Sequence, residues 1–257
     1  MTPALLRAEH LECRFGGLTA VADLSFEVAP GQIKAVIGPN GAGKSTLFNM
    51  IAGVTRPSAG RIWFDGERLD ALPPYLRADR GIARTFQNLQ IFRDMSVIEN
   101  LMVGRHRHGG IGLWQTLWRG AASRGEERAI AAAAMALLED FGLADKALRP
   151  AGSLSFGQMK MLELARALAS EPRLLLLDEP AAGLPRAEAD RMAEIITTLN
   201  RGGMTVLLVE HNMRMVMALA HDILVLNNGA RIAEGGADEV RHHPDVIAAY
   251  LGQAEDA

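Results

Sequence analysis

The chain has 257 residues, 49% of them hydrophobic and 22% charged, which is ordinary for a globular protein that buries a substantial core. Its net charge of −3 leaves no basic excess to neutralise nucleic-acid phosphates or an anionic lipid surface, so direct nucleic-acid binding is not expected. A single cysteine, Cys13, excludes an intrachain disulfide and favours a cytoplasmic protein.

The sequence contains no stretch that is expected to cross a membrane by itself. The first ten residues lack the apolar core and cleavage site of a secretion signal. The longest apolar run, at 129–138, is about half as long as a bilayer span requires. Any association with a membrane is therefore expected to go through a partner protein.

The N-terminal part of the chain has a pattern typical of β structure. Apolar residues at 6, at 8 and within 11–15, followed by those within 24–28, predict two short strands joined by Gly16-Gly17, and the residues at 61–64 predict a hairpin strand. A continuous apolar run at 33–37 predicts a short buried strand. We therefore expect an antiparallel β element ahead of a parallel core.

A phosphate loop directly follows the strand at 33–37. Residues 38–46 fill every fixed position of the pattern G-x-x-x-x-G-K-[ST], and a helix continues without a breaker to Gly53. Glycines let successive backbone N–H groups close around an anion at the positive end of a helix, where Lys44 would reach the β- and γ-phosphates and Ser45 would bind Mg²⁺. A flexible turn with a chance lysine is the alternative, and the flanking strand and helix favour the nucleotide. The predicted ATP-binding residues of the loop are Gly38, Pro39, Asn40, Gly41, Ala42, Gly43, Lys44, Ser45 and Thr46.

The middle of the chain predicts an inserted helical lobe. After a strand predicted at 82–86, the pattern is helical from 96 to about 152. Within it, Trp114, Leu117 and Trp118 have the spacing of one helix face and are predicted to pack into a core, with an exposed docking face as the alternative. Gln87 follows the strand, and its amide either hydrogen-bonds its own loop or completes the shell of Mg²⁺ or of a water molecule.

The helix predicted at 156–169 begins with an ambiguous motif. Ser155 and Gln158 have the spacing of an N-terminal capping box, which explains them without any function. A serine hydroxyl and the amides of a helix start also form an anion site, which would bind the far end of a nucleotide held by another subunit. The residues alone leave both interpretations open.

A buried strand predicted at 174–177 ends in two acids, where ligands of open α/β sheets collect. Because side chains alternate along a strand, the two acids point in different directions. We assign Asp178 to Mg²⁺, directly or through a water, and Glu179 as the base that polarises the attacking water. An ordinary strand-end turn is the alternative, and the phosphate loop elsewhere in the chain favours catalysis.

A second buried strand, predicted at 205–209, is followed by His211. A neutral imidazole can donate one hydrogen bond and accept another, which suits a residue between a terminal phosphate and the catalytic water; a structural histidine is the alternative. The remaining patterns predict helices at 186–199, 213–220 and 244–251, and a hairpin with strands at 223–226 and 231–232.

Taken as a set, these motifs resemble those of the ATP-binding subunit of ABC transporters, in the same order and over nearly the whole chain. Phe15 falls where that family places an aromatic residue that stacks on adenine, and a buried strand-end phenylalanine is the alternative. Residues 38–46 match the family's Walker A motif, Gln87 its Q-loop, 154–158 its signature motif, 174–179 its Walker B motif with the catalytic glutamate, and His211 its switch histidine.

The resemblance implies an α/β fold: a P-loop NTPase (RecA-like) core with an N-terminal antiparallel β element and an inserted α-helical subdomain. Within a single ABC ATPase domain at 1–257, it implies a nucleotide-binding core at 1–87 and 153–235, a helical subdomain at 88–152 and a C-terminal helical tail at 236–257. The implied cofactors are ATP and Mg²⁺. The implied site comprises Glu179, His211 and Gln87 for catalysis, Ser45, Gln87 and Asp178 for the metal, and Ser155, Gly157 and Gln158, beside Phe15 and the phosphate loop, for ATP.

The resemblance also implies partners. ATP would be sandwiched in a head-to-tail dimer, between the Walker A motif of one subunit and the signature motif of a second, identical or related, ABC ATPase subunit. Transmembrane permease subunits would contact the helical lobe, with the segment 88–95. The chain would then lie peripherally on the cytoplasmic face of the membrane.

Two positions depart from the usual family pattern. Phe156 stands where the signature motif usually has glycine, which requires a negative φ and a ring that points away from phosphate. Pro185 stands in a loop where the family often has aspartate. Both departures are similar to the branch that serves branched-chain or hydrophobic amino acid importers, as are the segments 85–101 and 248–252. The alternatives are an exporter-type ATPase, such as one that serves lipopolysaccharide, and a soluble ABC ATPase that acts on nucleic acid.

Overall fold

The computed structural model describes residues 3–87, 89–105 and 122–251, and the predicted apolar cluster of Trp114, Leu117 and Trp118 lies outside these ranges. The chain forms two compact units. The first combines Met1–Arg84 with Arg173–Ala257, and the second is Thr85–Pro172.

Ten strands are found in the described ranges, all of them in the first unit. In chain order they are β1 (Leu6–Phe15), β2 (Leu18–Val28), β3 (Ile33–Ile37), β4 (Ala59–Phe64), β5 (Glu67–Arg68), β6 (Ile82–Arg84), β7 (Leu174–Asp178), β8 (Thr205–Val209), β9 (Asp222–Asn227) and β10 (Ala230–Gly235).

The strands form two sheets. An antiparallel sheet has the order β2-β1-β4-β5, and a six-stranded sheet has the order β10-β9-β3-β8-β7-β6. In the larger sheet β9, β3, β8, β7 and β6 are parallel, and only β10, at one edge, is antiparallel. Every residue of β3, β7 and β8 is buried, which explains why these strands are continuous apolar runs in the sequence. The predicted antiparallel element and parallel core are thus confirmed.

Nine α-helices are found in the described ranges. They are α1 (Lys44–Ala52), α2 (Pro74–Asp79), α3 (Val97–Arg105), α4 (Ala122–Asp140), α5 (Phe156–Leu168), α6 (Arg186–Arg201), α7 (Met213–Leu219), α8 (Ala237–Arg241) and α9 (Pro244–Leu251). The sequence predicts no helix at α2, and α8 lies within the helical tail expected at 236–257. None of the helices in these ranges is both long and apolar enough to span a membrane.

The core of the first unit lies around α1. Leu47, Phe48 and Ile51 of this helix are fully buried and belong to one apolar cluster with residues of both sheets. The helix ends where predicted, because Gly53 adopts the left-handed conformation (φ +84°) and its N–H caps the carbonyl of Met50. Burial of one helix face between two sheets therefore holds the start of α1 in place.

The second unit is helical in its described part, and α3 packs closely on α5. A Cβ atom added to Gly104 of α3 would lie 2.4 Å from the carbonyl oxygen of Arg166 in α5, so only glycine allows this approach. This second unit extends to Pro172 and therefore includes α5. The helical subdomain expected from the sequence ends at residue 152, which would place α5 in the nucleotide-binding core. The packing of α5 on α3 accounts for this difference.

One predicted strand is shorter than expected. The strand predicted at 82–86 ends at Arg84, because the backbone N–H of Phe86 donates to the carboxylate Oε1 of Glu163 at 3.4 Å rather than to a neighbouring strand. A side chain that lies about 80 residues away thus decides where β6 stops.

Candidate nucleotide-binding site

The phosphate loop connects β3 to the first turn of α1, as the sequence predicts. Gly38 has a φ of +147°, and a Cβ atom there would lie 2.1 Å from the carbonyl oxygen of Leu226. Gly43 has a φ of +100°, and its Cβ would lie 2.4 Å from the carbonyl oxygen of Ala20. Larger residues at either position would force the loop away from its neighbours, so the cradle requires glycine.

Lys44 lies inside this loop. Its ammonium Nζ donates to the carbonyl oxygens of Gly38 at 2.7 Å and Pro39 at 2.9 Å, and the residue is buried. Burial lowers the pKa of Lys44 from its ordinary value of 10.5, and the nearby charges of Glu179 and Asp178 act in the opposite direction. The loop therefore holds a cation where an anion would bind.

Asp178, the last residue of β7, is buried beside α1. Its Oδ2 accepts a hydrogen bond at 2.8 Å from Nη2 of Arg84, the last residue of β6. The other terminal nitrogen of Arg84, Nη1, donates to Oδ1 of Asn49 in α1 at 2.7 Å. The guanidinium thus bridges the predicted Walker B aspartate and the helix of the phosphate loop.

Glu179 and His211 form a direct pair. The distance between Nε2 of His211 and Oε1 of Glu179 is 3.1 Å, with the glutamate side chain 16% exposed and the histidine side chain 46% exposed. Glu179 has a positive φ of +51°, and its N–H donates to the carbonyl of Val209 at 2.9 Å. A non-glycine residue in this conformation is strained by about 1–3 kcal/mol, and such strain is frequent at functional sites.

Glu210 organises this region, and the sequence assigned no role to it. Its Oε2 accepts from the N–H groups of His211 at 2.8 Å and Asn212 at 3.0 Å, while Oε1 accepts from the N–H of Ala181 at 2.9 Å. The buried carboxylate therefore joins the turn after Glu179 to the turn that carries His211. In the sequence, the signal for Glu210 is that an acidic residue directly follows an apolar strand.

The C-terminal tail also reaches the phosphate loop. Tyr250 of α9 hydrogen-bonds to the backbone of Gly38, and burial raises the pKa of its phenol group above the ordinary value of 10.0. The sequence carries no signal for this contact, because the two residues are more than 200 positions apart.

The other predicted residues of the first unit are Phe15 and Pro185. The Phe15 ring, at the end of β1, is 52% exposed, so the buried alternative does not apply. Pro185 is the N-cap of α6, with a φ of −56°, and proline suits this position because it needs no N–H donor there.

In the second unit, Ser155 is the N-cap of α5. Its Oγ accepts from the N–H of Gln158 at 3.3 Å, and Oε1 of Gln158 accepts from the N–H of Ser155 at 3.2 Å, which forms a complete capping box. Ser155 is exposed and Gly157 is buried. Phe156 lacks a positive φ and its ring is 46% exposed, so the bulky side chain fits at this position.

The segment around Gln87 is hydrogen-bonded to side chains of α5. Glu163 is buried, and its Oε1 accepts from the N–H of Gln90 at 3.1 Å as well as from Phe86. Arg166 donates to the carbonyl of Gln90. Burial raises the pKa of Glu163 above its ordinary value of 4.5, and the backbone donors and the charges of Lys160 and Arg166 oppose that rise. The Gln87 side chain itself is exposed.

The donors near the loop fit a nucleotide with a divalent cation. Ser45 lies in the first turn of α1 and supplies a hydroxyl, and Asp178 supplies a carboxylate. Mg²⁺ prefers such oxygen ligands and in nucleotide sites is usually bound by one or two carboxylates together with phosphates. Within the described ranges, no group of three His, Cys, Asp or Glu side chains is placed to hold a metal ion by itself.

A phosphate loop and two acids at the carboxyl edge of one parallel sheet define a P-loop nucleotide-binding protein. Comparison with protein families identifies which family of P-loop proteins the chain belongs to. Residues 21–182 match the model of the ABC transporter family, and residues 230–256 match that of the branched-chain amino acid ATP-binding cassette transporter family.

Individual relatives agree with these matches. The chain is 43% identical over 255 residues to the high-affinity branched-chain amino acid transport ATP-binding protein BraF of Pseudomonas aeruginosa, covering 99% of this chain and 100% of the relative. It is 41% identical to LivG of Escherichia coli K12, with the same coverage. A crystal structure of the ADP conformation of MJ1267, an ATP-binding cassette of an ABC transporter, superposes with a TM-score of 0.85 at 34% identity, covering 98% of this chain and 100% of that one.

The chain therefore belongs to the ABC transporter family, as an ATP-binding subunit and ATPase. The predicted family and fold class are confirmed, and within the family the relationship to branched-chain amino acid transport proteins predicted from the sequence is confirmed as well.

Proposed function

We propose that this chain hydrolyses ATP to power the import of branched-chain or other hydrophobic amino acids. The observation that supports it most directly is the convergence of the phosphate loop, Asp178 and the Glu179–His211 pair at one edge of the sheet, in a chain whose relatives are named as branched-chain amino acid transport ATP-binding proteins. The match at 230–256 supports the same transporter branch over an exporter.

ATP binding is assigned to the loop and to Phe15. The backbone N–H groups of the loop and the start of α1 receive the phosphates, and Lys44 exchanges its two carbonyl partners for phosphate oxygens. The exposed Phe15 ring stacks on the adenine. Phosphate oxygens of the ligand thus take the place of the two carbonyl oxygens that accept hydrogen bonds from Lys44.

Hydrolysis is assigned to Glu179, with His211 and Gln87. Glu179 takes the proton of the attacking water, and His211, 3.1 Å from its carboxylate, holds that carboxylate and contacts the terminal phosphate. Ser45, Asp178 and Gln87 would hold Mg²⁺, which supplies charge neutralisation on the phosphates when it is bound. Asp178 contacts Arg84 whereas Glu179 contacts His211, so each acid is given its own role.

The signature residues Ser155, Gly157 and Gln158 are assigned to ATP held by a second ABC ATPase subunit. The helix start at Ser155 is exposed, and a helix N-terminus binds anions. A γ-phosphate between two subunits stabilises their closed arrangement, and its loss on hydrolysis reopens the dimer. The capping box and this contact are compatible, because capping uses one lone pair of the hydroxyl oxygen.

The second unit is assigned to contact the transmembrane permease subunits. Phe92, Met95 and Leu148 of this unit are exposed apolar side chains, the last of them 85% exposed. Exposed apolar residues near the Gln87 segment provide a surface for a short helix of a membrane protein. The chain would then lie peripherally on the cytoplasmic face of the membrane.

Reconstitution tests this function. The chain is co-expressed with the permease subunits of its transporter, and ATP-dependent uptake of radiolabelled leucine into proteoliposomes is measured, with the Glu179→Gln variant as the matched control. Uptake that requires ATP and disappears in the variant is expected. The assay is repeated with isoleucine, valine and phenylalanine, and ATP hydrolysis without uptake of any of the four amino acids would refute the amino acid assignment but not the ATPase.

A further inference from the structure

Arg84 is buried between the two elements that carry the proposed magnesium ligands. Its side chain is 10% exposed and that of Asp178 is 3% exposed. One terminal nitrogen contacts Oδ2 of Asp178 at 2.8 Å, and the other contacts Oδ1 of Asn49 at 2.7 Å. The guanidinium carbon lies 5.8 Å from the centre of the Phe48 ring, which packs it from one side.

Asn49 connects this contact to Ser45. The two residues are four positions apart in α1, and residues with that spacing lie on the same helix face, one turn apart. An arginine held by Asn49 is therefore held relative to the turn that carries Ser45. The planar guanidinium has fixed angles between its nitrogens, so it joins Asp178 and α1 at a defined separation.

A buried carboxylate needs such a partner. Taking an ionised carboxylate out of water is unfavourable unless it is paired and hydrogen-bonded. Arg84 supplies the opposite charge, and its contact with Oδ2 orients the carboxylate about its own axis. In metal sites, residues that orient a ligand in this way influence metal affinity strongly.

We propose that Arg84 is a positioning residue of the magnesium site, which sets the Asp178 carboxylate relative to Ser45 by bridging Asp178 and Asn49. The inference rests on the proposed function, in which Ser45 and Asp178 hold the metal. A positioning role and a purely electrostatic role of Arg84 predict opposite changes in cation affinity when Arg84 is removed. If Arg84 acted only as a nearby positive charge, its removal would tighten cation binding, whereas loss of a positioning residue weakens it.

The test measures the affinity of Mn²⁺ for the full-length chain saturated with ADP, by electron paramagnetic resonance titration. Arg84→Lys keeps the charge but cannot contact both partners, and Arg84→Met removes both. We expect Mn²⁺ to bind about 10–100-fold more weakly in both variants. Asn49→Ala, which keeps the ion pair with Asp178, is expected to give a smaller loss. Unchanged or tighter Mn²⁺ binding in Arg84→Lys and Arg84→Met would overturn the proposal.

A matched control separates positioning from general packing of α1. Arg77 is also buried, and its guanidinium donates to the carbonyls of Met50 at 2.5 Å and Ile51 at 2.9 Å, at the C-terminal end of α1 and not at the turn that carries Ser45. Arg77→Met is expected to lower the melting temperature without weakening Mn²⁺ binding. ADP affinity measured in EDTA is expected to be unchanged in the Arg84 variants, and a loss there as large as the loss for Mn²⁺ would refute a specific effect on the metal.

The Asp178→Asn variant separates a failure of the proposed metal site from a failure of the proposed role of Arg84. If it leaves Mn²⁺ affinity unchanged, Asp178 is not a metal ligand and the proposed function is wrong at this residue. If it weakens Mn²⁺ binding while the Arg84 variants do not, the metal site stands and the role of Arg84 is refuted.

Discussion

Replacing Glu179 by Gln isolates one step of the proposed reaction. Glutamine has nearly the same shape, so it keeps the position beside β8 and still forms a hydrogen bond across the 3.1 Å to Nε2 of His211. The variant loses only the ability to accept a proton at neutral pH. The strained backbone at φ +51° and the hydrogen bond to Val209 are also retained, which argues against unfolding as the cause of any change.

The expected loss follows from the size of general-base catalysis. A positioned base contributes about 10²–10⁴ in rate, and each factor of ten corresponds to about 1.36 kcal/mol, so the barrier should rise by about 3–5 kcal/mol. Because Lys44 and the phosphate loop are untouched, the KM for ATP should stay within about threefold of the original. ATP that binds without being hydrolysed should hold two ATPase subunits together.

The assay combines steady-state phosphate release by the assembled transporter with light scattering after size exclusion in ATP. Glu171→Gln is the matched control, because Glu171 also has a positive φ (+50°) but precedes β7, where it pairs with Arg105 at 3.0 Å. The control should keep full activity. Turnover by the Glu179 variant within about threefold of the original protein would refute the assignment of Glu179 as the base.

Three further predictions concern the loop and the second unit. Lys44→Ala should abolish ATP binding, measured by isothermal titration calorimetry, because it removes the charge that lies in the loop. Ser155→Ala should slow hydrolysis in the assembled dimer at unchanged ATP affinity, with a stability loss of about 1 kcal/mol from the missing cap. For Glu163, burial raises the folded-state pKa, so stability falls as pH rises from 4.5 through that pKa; Glu163→Gln should remove this decline in melts recorded from pH 4 to 8.

Each of these has its own opposing outcome. Calorimetric heat of the original size in Lys44→Ala would show that the loop lysine does not bind phosphate. Unchanged hydrolysis in Ser155→Ala, with only the loss of stability, would leave Ser155 as a helix cap and nothing more. If the fall in stability between pH 4 and 8 is the same in Glu163→Gln as in the original protein, the raised pKa of Glu163 is not its cause.

The strongest local patterns predicted their elements closely. The strands Ile33–Ile37 and Thr205–Val209 and the helix Pro244–Leu251 have the predicted bounds. In these segments a buried apolar run or a helical period is strong enough to act alone. The phosphate loop is also predicted from the sequence, because the loop conformation leaves no room for a Cβ atom at Gly38 and Gly43.

Side chains that act through partners from distant parts of the chain were harder to predict. Glu163 shortens β6 from 73–77 positions away, and the sequence around Phe86 carries no sign of it. Likewise, no spacing or motif in the sequence indicates the role of Glu210, which joins two turns through three backbone N–H groups. Their importance comes from what they contact, and a contact between distant positions leaves no local period or spacing.

By itself, the sequence determined the family, the main strands of the core and the position of the predicted phosphate loop between β3 and α1, because each follows from a local pattern of apolar or glycine residues. The tertiary structure alone decided that Arg84 bridges Asp178 and Asn49, that Tyr250 reaches Gly38, and that Lys44 lies within its own loop. The physical reason is that a hydrogen bond depends on positions set to within a few tenths of an ångström. Such positions follow from the packing of the whole core around α1 and not from any single stretch of the chain.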